Sequence, residues 1–380
     1  MIPILMRRPS EYNDFAYLRN VIGRLSDTIS CEITEELNGV YALTLQYPIN
    51  GRFTAELMQA NTIAASRPYA SGNEFKGELA FFDVYRRSID GGVLTVEANH
   101  VSCRLSGVVC TRVPSAGNLY GVLGGMSNNI VPSRSLSAWS EFIFSHDEIA
   151  LSEGVFESTE IKPVSEYFFD DVYSITKIFR AEVEYHMNTI HFNSKRGTDR
   201  GAEIRFGKNM ASALFERDAT GSYNAIFPYW RKTVDGYDIW QSIGDLVYPN
   251  DTVIEPINAR AVDFTAYFEA QPTVAELHAV TLQYLDDNKP WLARETADVT
   301  FDPVWQQGTI GGTVREIIDL GDTVTVFYGD ADLAGAKLRV VRIRYDVLLE
   351  HFSEYTLGQL ERGYAVTSRD GLSATRQIMA

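Results

Sequence analysis

The feature that most constrains this chain is a turn. Asn38-Gly39 lies between two arms whose apolar residues alternate, with Cys31 and Ile33 before it and Tyr41, Leu43 and Leu45 after it. Alternation with a period of two is the mark of a strand with one buried face, and Asn and Gly both tolerate the positive φ of a type I′ turn. The segment is therefore expected to be a β-hairpin. A second hairpin is expected from Leu79–Arg87 and Val93–Ala98 around Asp90-Gly91-Gly92, with a short helix over Arg52–Ala60 between the two. Such a run of hairpins closes most readily as a small antiparallel barrel.

From Pro114 to Met187 the pattern changes. Gly117, Gly121, Gly124 and Gly125 punctuate the entry, and Val164–Ala181 has helical spacing that puts Tyr167, Ile175, Ile178 and Phe179 on one face. Strands are expected again at Ala181–His186 and Thr189–Asn193, joined through Met187-Asn188. A second helix is expected over Thr273–Asp287, because Thr273 and Glu276 have capping-box spacing and Leu277, Val280, Leu282 and Leu285 supply an apolar side. Gly23-Arg24 and Gly39-Val40-Tyr41 have weak echoes at Gly207-Lys208 and Gly221-Ser222-Tyr223, offset by 207 − 23 = 184 and 221 − 39 = 182 residues. An offset that long suggests two related β domains rather than a solenoid. It agrees with a length of 380 residues, enough for two to four domains.

Charge narrows the function. The 34 Lys and Arg stand against 50 Asp and Glu, a net −16. That balance argues against a broad basic face gripping nucleic acid, although not against a protein that nucleic acid passes. Three cysteines, Cys31, Cys103 and Cys110, make no disulfide framework and suit a reducing compartment, with small buried thiols as the expected state. His100 and Cys103 lack a second Cys or His pair to complete a zinc site. There is no secretory leader pattern and no apolar run long enough to span a bilayer.

The search for chemistry returns little. Ser145-His146-Asp147-Glu148 lacks the second histidine of a helical metal site, and His186 and His191, five apart in extended chain, are expected on opposite faces. Gly201 to Gly207-Lys208 has five residues between its glycines where a phosphate loop has four, and Asn209 replaces the magnesium-binding hydroxyl. No Gly-x-Ser-x-Gly elbow occurs. No catalytic, cofactor or metal residue is therefore expected. The most polar stretch, Asn193–Gly201, reads either as a solvated turn with Gly197 and Gly201 at positive φ, or as a subunit-interface loop presenting Lys195, Arg196, Asp199 and Arg200.

Several stretches taken together resemble the tail and minor structural proteins of long-tailed phages and prophages of Gram-positive bacteria, the amino-terminal part of tail-associated lysins. They are Leu25–Leu43, Glu97–Ser102, Ala181–Tyr185, Lys195–Asn209, Leu320–Val326 and Tyr345–Glu350, in the family's order. The resemblance implies a mainly β chain with α+β insertions: two similar antiparallel β-barrel domains of the baseplate-hub type and a peripheral α+β domain. The first barrel would cover residues 1–105, the second 203–240 with 306–362, the peripheral domain 106–202 with 241–305, and a C-terminal tail 363–380.

The implied function is structural. Three copies would form a ring of six-fold pseudo-symmetry at the distal end of the tail of a virion made in the bacterial cytoplasm. The ring would join the tail tube to the tip and line or close the DNA channel. The implied partners are distal tail and tail-tube proteins, the tape-measure protein and tip or fibre proteins, with no cofactor and no membrane insertion. Some of the acidic excess is expected to line the passage, so that like-charge repulsion keeps DNA from adhering. The lytic domain of longer relatives is expected to be absent, since residues 361–380 are too few for one. The alternatives are a wall-cleaving endopeptidase or glycosidase and a wall carbohydrate-binding protein.

Overall fold

The computed structural model describes residues 1–7, 20–59, 61–71, 74–131, 139–140, 142–147, 154–170, 173–205, 210–218, 221–234, 237–253, 255–268, 270–291, 294–301, 318–327 and 336–358. The first lobe contains β1 (Ile4–Met6), β2 (Val21–Arg24), β3 (Ser30–Glu36), β4 (Tyr41–Pro48), a single helical turn α1 (Thr54–Leu57), β5 (Thr62–Ser71), β6 (Glu74–Asp90) and β7 (Val93–His100). Its antiparallel strands lie in the order β2-β1-β5-β6-β7-β4-β3. The expected alternation is met: Leu43, Leu45, Phe82, Val96 and Ala98 point into one core, while Thr44 and Gln46 face solvent. Both expected hairpins form. Gly91 and Gly92 have φ of +54° and +83°, as a two-residue turn between Asp90 and Val93 requires.

The turn at Asn38 differs from the expected type. Its last strand pair is Glu35 with Tyr41, and Asn38 alone takes positive φ, at +53°. The loop is longer than two residues because its groups are engaged elsewhere. Leu37 N donates to Val341 O, and the Asn38 amide donates to Ala181 O at 2.9 Å and accepts from Val183 N at 2.7 Å.

A middle module follows: β8 (Val109–Cys110), β9 (Val113–Ala116), α2 (Leu119–Ser127), β10 (Ile130–Val131), β11 (Ile143–His146), β12 (Phe156–Ser158), β13 (Lys162–Pro163), α3 (Val164–Phe169), α4 (Ile175–Ile178), β14 (Glu182–His186) and β15 (Thr189–Asn193). Its small sheets are β10-β8-β13, β12-β9 and β11-β15-β14. The single helix expected over Val164–Ala181 is two short ones. Asp170 leaves helical geometry and its carboxylate accepts from Tyr173 N, while Ser174 caps the restart by accepting from Lys177 N. The apolar grouping survives the break, since Tyr167, Ile175 and Phe179 share one core.

The rest of the chain comprises β16 (Asp199–Arg205), β17 (Met210–Asp218), β18 (Ala225–Val234), β19 (Tyr237–Ser242), β20 (Ala259–Asp263), α5 (Val274–Asn288), β21 (Arg294–Phe301), β22 (Thr323–Phe327), β23 (Ala336–Asp346) and β24 (His351–Gly358). Helix α5 carries the expected reciprocal capping box at Thr273 and Glu276, and Leu277 and Leu285 bury against Ile226 and Phe264. β23 pairs antiparallel with β3, Arg342–Asp346 running against Glu36–Glu32, and so joins β17-β21-β24-β23 and the pair β16-β22 to the first lobe. The result is one curled sheet of thirteen strands serving both lobes. The fold is thus mainly β with α+β insertions.

Three strands sit apart from the expected segmentation. Arg294–Phe301, expected in the peripheral segment, lies on the large sheet beside β24. Ala225–Val234 and Tyr237–Ser242, which up to Trp240 are expected in the second barrel, form a separate sheet with β20. The reason is a parallel pairing of β18 with β20, a partner distant in sequence that local pattern does not announce. The two Gly-x-Tyr echoes accordingly lead into different sheets. Gly207-Lys208 and the expected tail 363–380 lie outside the described residues.

Because Phe82 is fully buried and Thr44 is exposed on the same sheet, the two should respond differently to truncation. Phe82→Ala should cost about 3–5 kcal/mol in denaturant unfolding, while Thr44→Ala stays within about 0.5 kcal/mol of wild type.

Candidate functional site

Polar burial concentrates where the first lobe, the middle module and the strands after β15 meet. β3 supplies Glu35, β5 Arg67, β6 Glu78, and β14 Glu182, Glu184 and His186. Arg196 comes from the loop after β15, Arg200 from β16, Asp319 and Asp322 from the turn before β22, and Arg339 from β23. Glu35 sits between two guanidiniums, Arg196 Nη1 at 2.7 Å from its Oε1 and Arg67 Nε at 2.9 Å from its Oε2. The second contact is an ion pair without hydrogen-bond alignment. Arg67 also reaches Asp319 at 2.6 Å, whose other oxygen accepts from Ala70 N. Arg339 pairs with Glu182 and donates to the carbonyls of Gly321, at 2.8 Å, and of Arg196.

Backbone contact completes the seam. Gly197 (φ +76°) and Gly321 (φ +87°) pack face to face, and a Cβ on Gly197 would lie 2.1 Å from the Gly321 carbonyl carbon. Thr198 N donates to Asp322 Oδ1 at 2.7 Å, and Thr323 N to Thr198 O at 3.0 Å. Only glycine suits either position, on grounds of both torsion and space. The positive φ expected at Gly197 and Gly201 is present.

The four loop residues therefore divide. Arg196 is 5% exposed and bonded within the chain, and Arg200 lies 3.4 Å from buried Asp322. Asp199 meets Lys337 at 2.7 Å on the surface, and Lys195 is exposed. Lys195 and Asp199 are thus on the surface, while Arg196 and Arg200 turn towards buried carboxylates. Arg196 faces inward because the Gly197–Gly321 contact brings the loop backbone against the turn before β22.

Charge balance explains the titration behaviour. The four arginines Arg67, Arg196, Arg200 and Arg339 meet the six carboxylates Glu35, Glu78, Glu182, Glu184, Asp319 and Asp322, a deficit of 6 − 4 = 2 positive charges. His186 stands at that deficit, 2.9 Å from Glu78 and 3.5 Å from Glu184. Its hydrogen bond to Glu184, and then Glu78, raise its pKa against the opposing effect of burial. Burial works to raise Glu184, but His186, Arg196 and Arg67 outweigh it and hold the carboxyl at about 2. Burial raises Asp322 despite the N–H groups it accepts from. His186 and the residues around it line a pocket of about 10 Å3, room for roughly one water and too small for an organic substrate.

The sequence search also missed two relations among histidines. β14 and β15 form a hairpin in which Glu184 pairs with His191 and His186 with Thr189. The chain reversal puts His186 and His191 on one face, not on the opposite faces expected of a continuous strand. In addition, β11 runs parallel to β15 and brings Ser145 Oγ to 2.7 Å from His191 Nδ1, with Asp147 Oδ1 3.5 Å from His191 Nε2. Asp147 is exposed and also accepts from Ser194 N and Oγ. No group of three potential metal ligands occurs among the described residues. His100 is buried, accepts from Ser102 N and stacks on Tyr41, and burial lowers its pKa to about 3. Cys31 and Cys110 are buried as expected, but Cys103 is exposed.

This fold, a curled sheet shared by two lobes with a mixed module inserted between its strands, is similar to those of solved tail proteins. The tail protein gp18 of a Listeria monocytogenes prophage has TM-score 0.54 and 12% identity over 99% of this chain and 100% of its own. The 43 kDa tail protein of prophage MuSo2 from Shewanella oneidensis has TM-score 0.51 and 11% identity over 94% and 98%. A tail protein of Neisseria meningitidis has TM-score 0.50 and 9% identity over 95% and 97%. At these identities the likeness is one of fold. No family model and no curated protein matches the chain.

Two outcomes follow from the seam. Arg196→Ala takes from buried Glu35 its hydrogen-bonded partner, leaving only the unaligned Arg67 contact, and should cost about 3–5 kcal/mol in equilibrium unfolding. The His186 pairs contribute fully below pH 6.5, its ordinary value, and are lost as the pH rises through the higher folded-state value. Melting temperature should therefore fall between pH 6 and 8 (roughly the range in which histidine titrates) by more in wild type than in His186→Gln.

Proposed function

We propose that the chain is a structural tail protein, a hub at the distal end of a phage tail. One observation carries this reading: the end-to-end likeness in fold to three tail proteins, two of them from prophages, with 94–99% of this chain covered. In this reading three copies close a ring of six-fold pseudo-symmetry between tube and tip. Two barrel-like lobes line the passage and the middle module lies outside. The neighbours are tail-tube, tape-measure and tip or fibre proteins. Closed rings of identical chains are a common outcome of head-to-tail contacts. Part of the net charge of −16 faces the passage and lets DNA slide without holding it. The ionic seam suits the role, because a chain that transmits load between tube and tip gains from one fixed arrangement of its parts.

Electron microscopy of the purified protein or of assembled tails tests this. A three-fold particle with a central hole and an acidic wall is the expected image. A compact monomer under all assembly conditions, or a neutral or basic wall, counts against the hub or against the charge argument respectively.

A second reading, a wall-cleaving hydrolase, has the Ser145–His191–Asp147 line in its favour. A serine hydroxyl on a histidine backed by a carboxylate is the arrangement that activates a nucleophile. Here the carboxylate contact is long and shared with Ser194. A zymogram on purified walls should show no clearing. Clearing abolished by Ser145→Ala with unchanged folding would establish the hydrolase instead.

A further inference from the structure

Beyond Trp230, which is 2% exposed, the β18–β19 hairpin stands clear of its core. Arg231, Lys232, Thr233, Tyr237, Asp238, Ile239 and Trp240 are all exposed, Tyr237 at 77% and Trp240 at 62%. Register puts Lys232 opposite Ile239 on one face, which Tyr237 shares, with Arg231 opposite Trp240 on the other. Asp238 accepts from the Thr233 hydroxyl. β19 is an edge, with no second strand beside it among the described residues. A two-stranded ribbon with aromatic side chains on both faces and an open edge is marginal in water and suited to being covered.

We propose that this arm is the grip by which one copy of the chain holds the next. Two observations select a second copy as the occupant. The first is complementarity. Segment Val155–Ile161 exposes Val155 at 61% and Ile161 at 72%, beside Glu157 and Glu160, and among the described residues its strand β12 pairs with β9 alone. Apolar groups with carboxylates on an open edge match apolar groups with Arg231 and Lys232 on an open edge, even though Lys162 lies 3.1 Å from Glu160. The second is area. Covering Tyr237 and Trp240 removes on the order of 300 Å2 from water, well below the ~800 Å2 per partner of a stable pair. One arm alone is a weak link; a closed ring in which every copy gives and receives an arm is not. The stoichiometry of that ring rests on the hub reading above.

The test is light scattering over a concentration series with wild type, Tyr237→Ser/Trp240→Ser and Glu157→Lys/Glu160→Lys. Wild type should exceed monomer mass, and both double variants should associate at least tenfold more weakly with unchanged melting temperature. Wild-type monomer throughout, or variants that assemble like wild type, overturns the proposal. So does a variant that self-assembles normally but no longer joins another tail protein, which would assign the arm to that protein. A ring that persists in the variants leaves the hub reading standing and removes the arm. Assembly that needs the arm but encloses no channel does the reverse.

Discussion

Glu35 is a carboxylate with 2% of its side chain exposed, held between Arg67 and Arg196. A charge that deep is tolerated only when its partners are in place, and each of those partners belongs to a different part of the chain. Arg67 is on a first-lobe strand, and Arg196 is in the loop that links the middle module to the second set of strands. Satisfying Glu35 therefore fixes that loop against the first lobe, and Arg67, through Asp319, holds the turn before β22 at the same place. Ion pairs of this depth contribute little net stability against well-packed apolar groups. Their effect here is selective, since any slip of one part past another leaves a buried charge without a partner.

The same seam limits what chemistry the region can do. Its carboxylates are engaged by guanidiniums, backbone N–H groups or His186, and its pocket holds about one water. The Gly197–Gly321 contact brings two turns together at backbone distance, where any side chain would collide. A region built this way resists motion. Rigidity of that kind serves a link in a force-bearing assembly better than it serves turnover of a substrate.

Much of the local structure was legible in the sequence, because hairpins and caps are local. Asp90-Gly91-Gly92 formed the expected tight turn and Thr273 with Glu276 the expected cap. Asn38-Gly39 formed a hairpin of a different type because Asn38 bonds Ala181 and Val183, 143 and 145 residues away. The second lobe was harder to read. β18 finds its parallel partner β20 across an intervening edge strand, and β21 crosses to the large sheet, so segment boundaries drawn from local pattern fall at other places. The polar loop at Lys195–Arg200 looked like surface, and Arg196 gave no local sign of burial. Stretches picked out by the family resemblance nonetheless converge on the seam: Leu25–Leu43 brings Glu35 and Asn38, Ala181–Tyr185 brings Glu182 and Glu184, Lys195–Asn209 brings Arg196, and Leu320–Val326 brings Gly321 and Asp322.

If Glu35 and its two arginines hold the linking loop and, through Asp319, the turn before β22 against the first lobe, losing one arginine loosens all of them. Amide hydrogen exchange on Arg196→Ala, read by mass spectrometry under native conditions, measures this directly. Protection should fall together in β3, β14 and β22, none of which pairs directly with another. Faster exchange confined to residues 193–200, with those strands as protected as in wild type, would contradict the account.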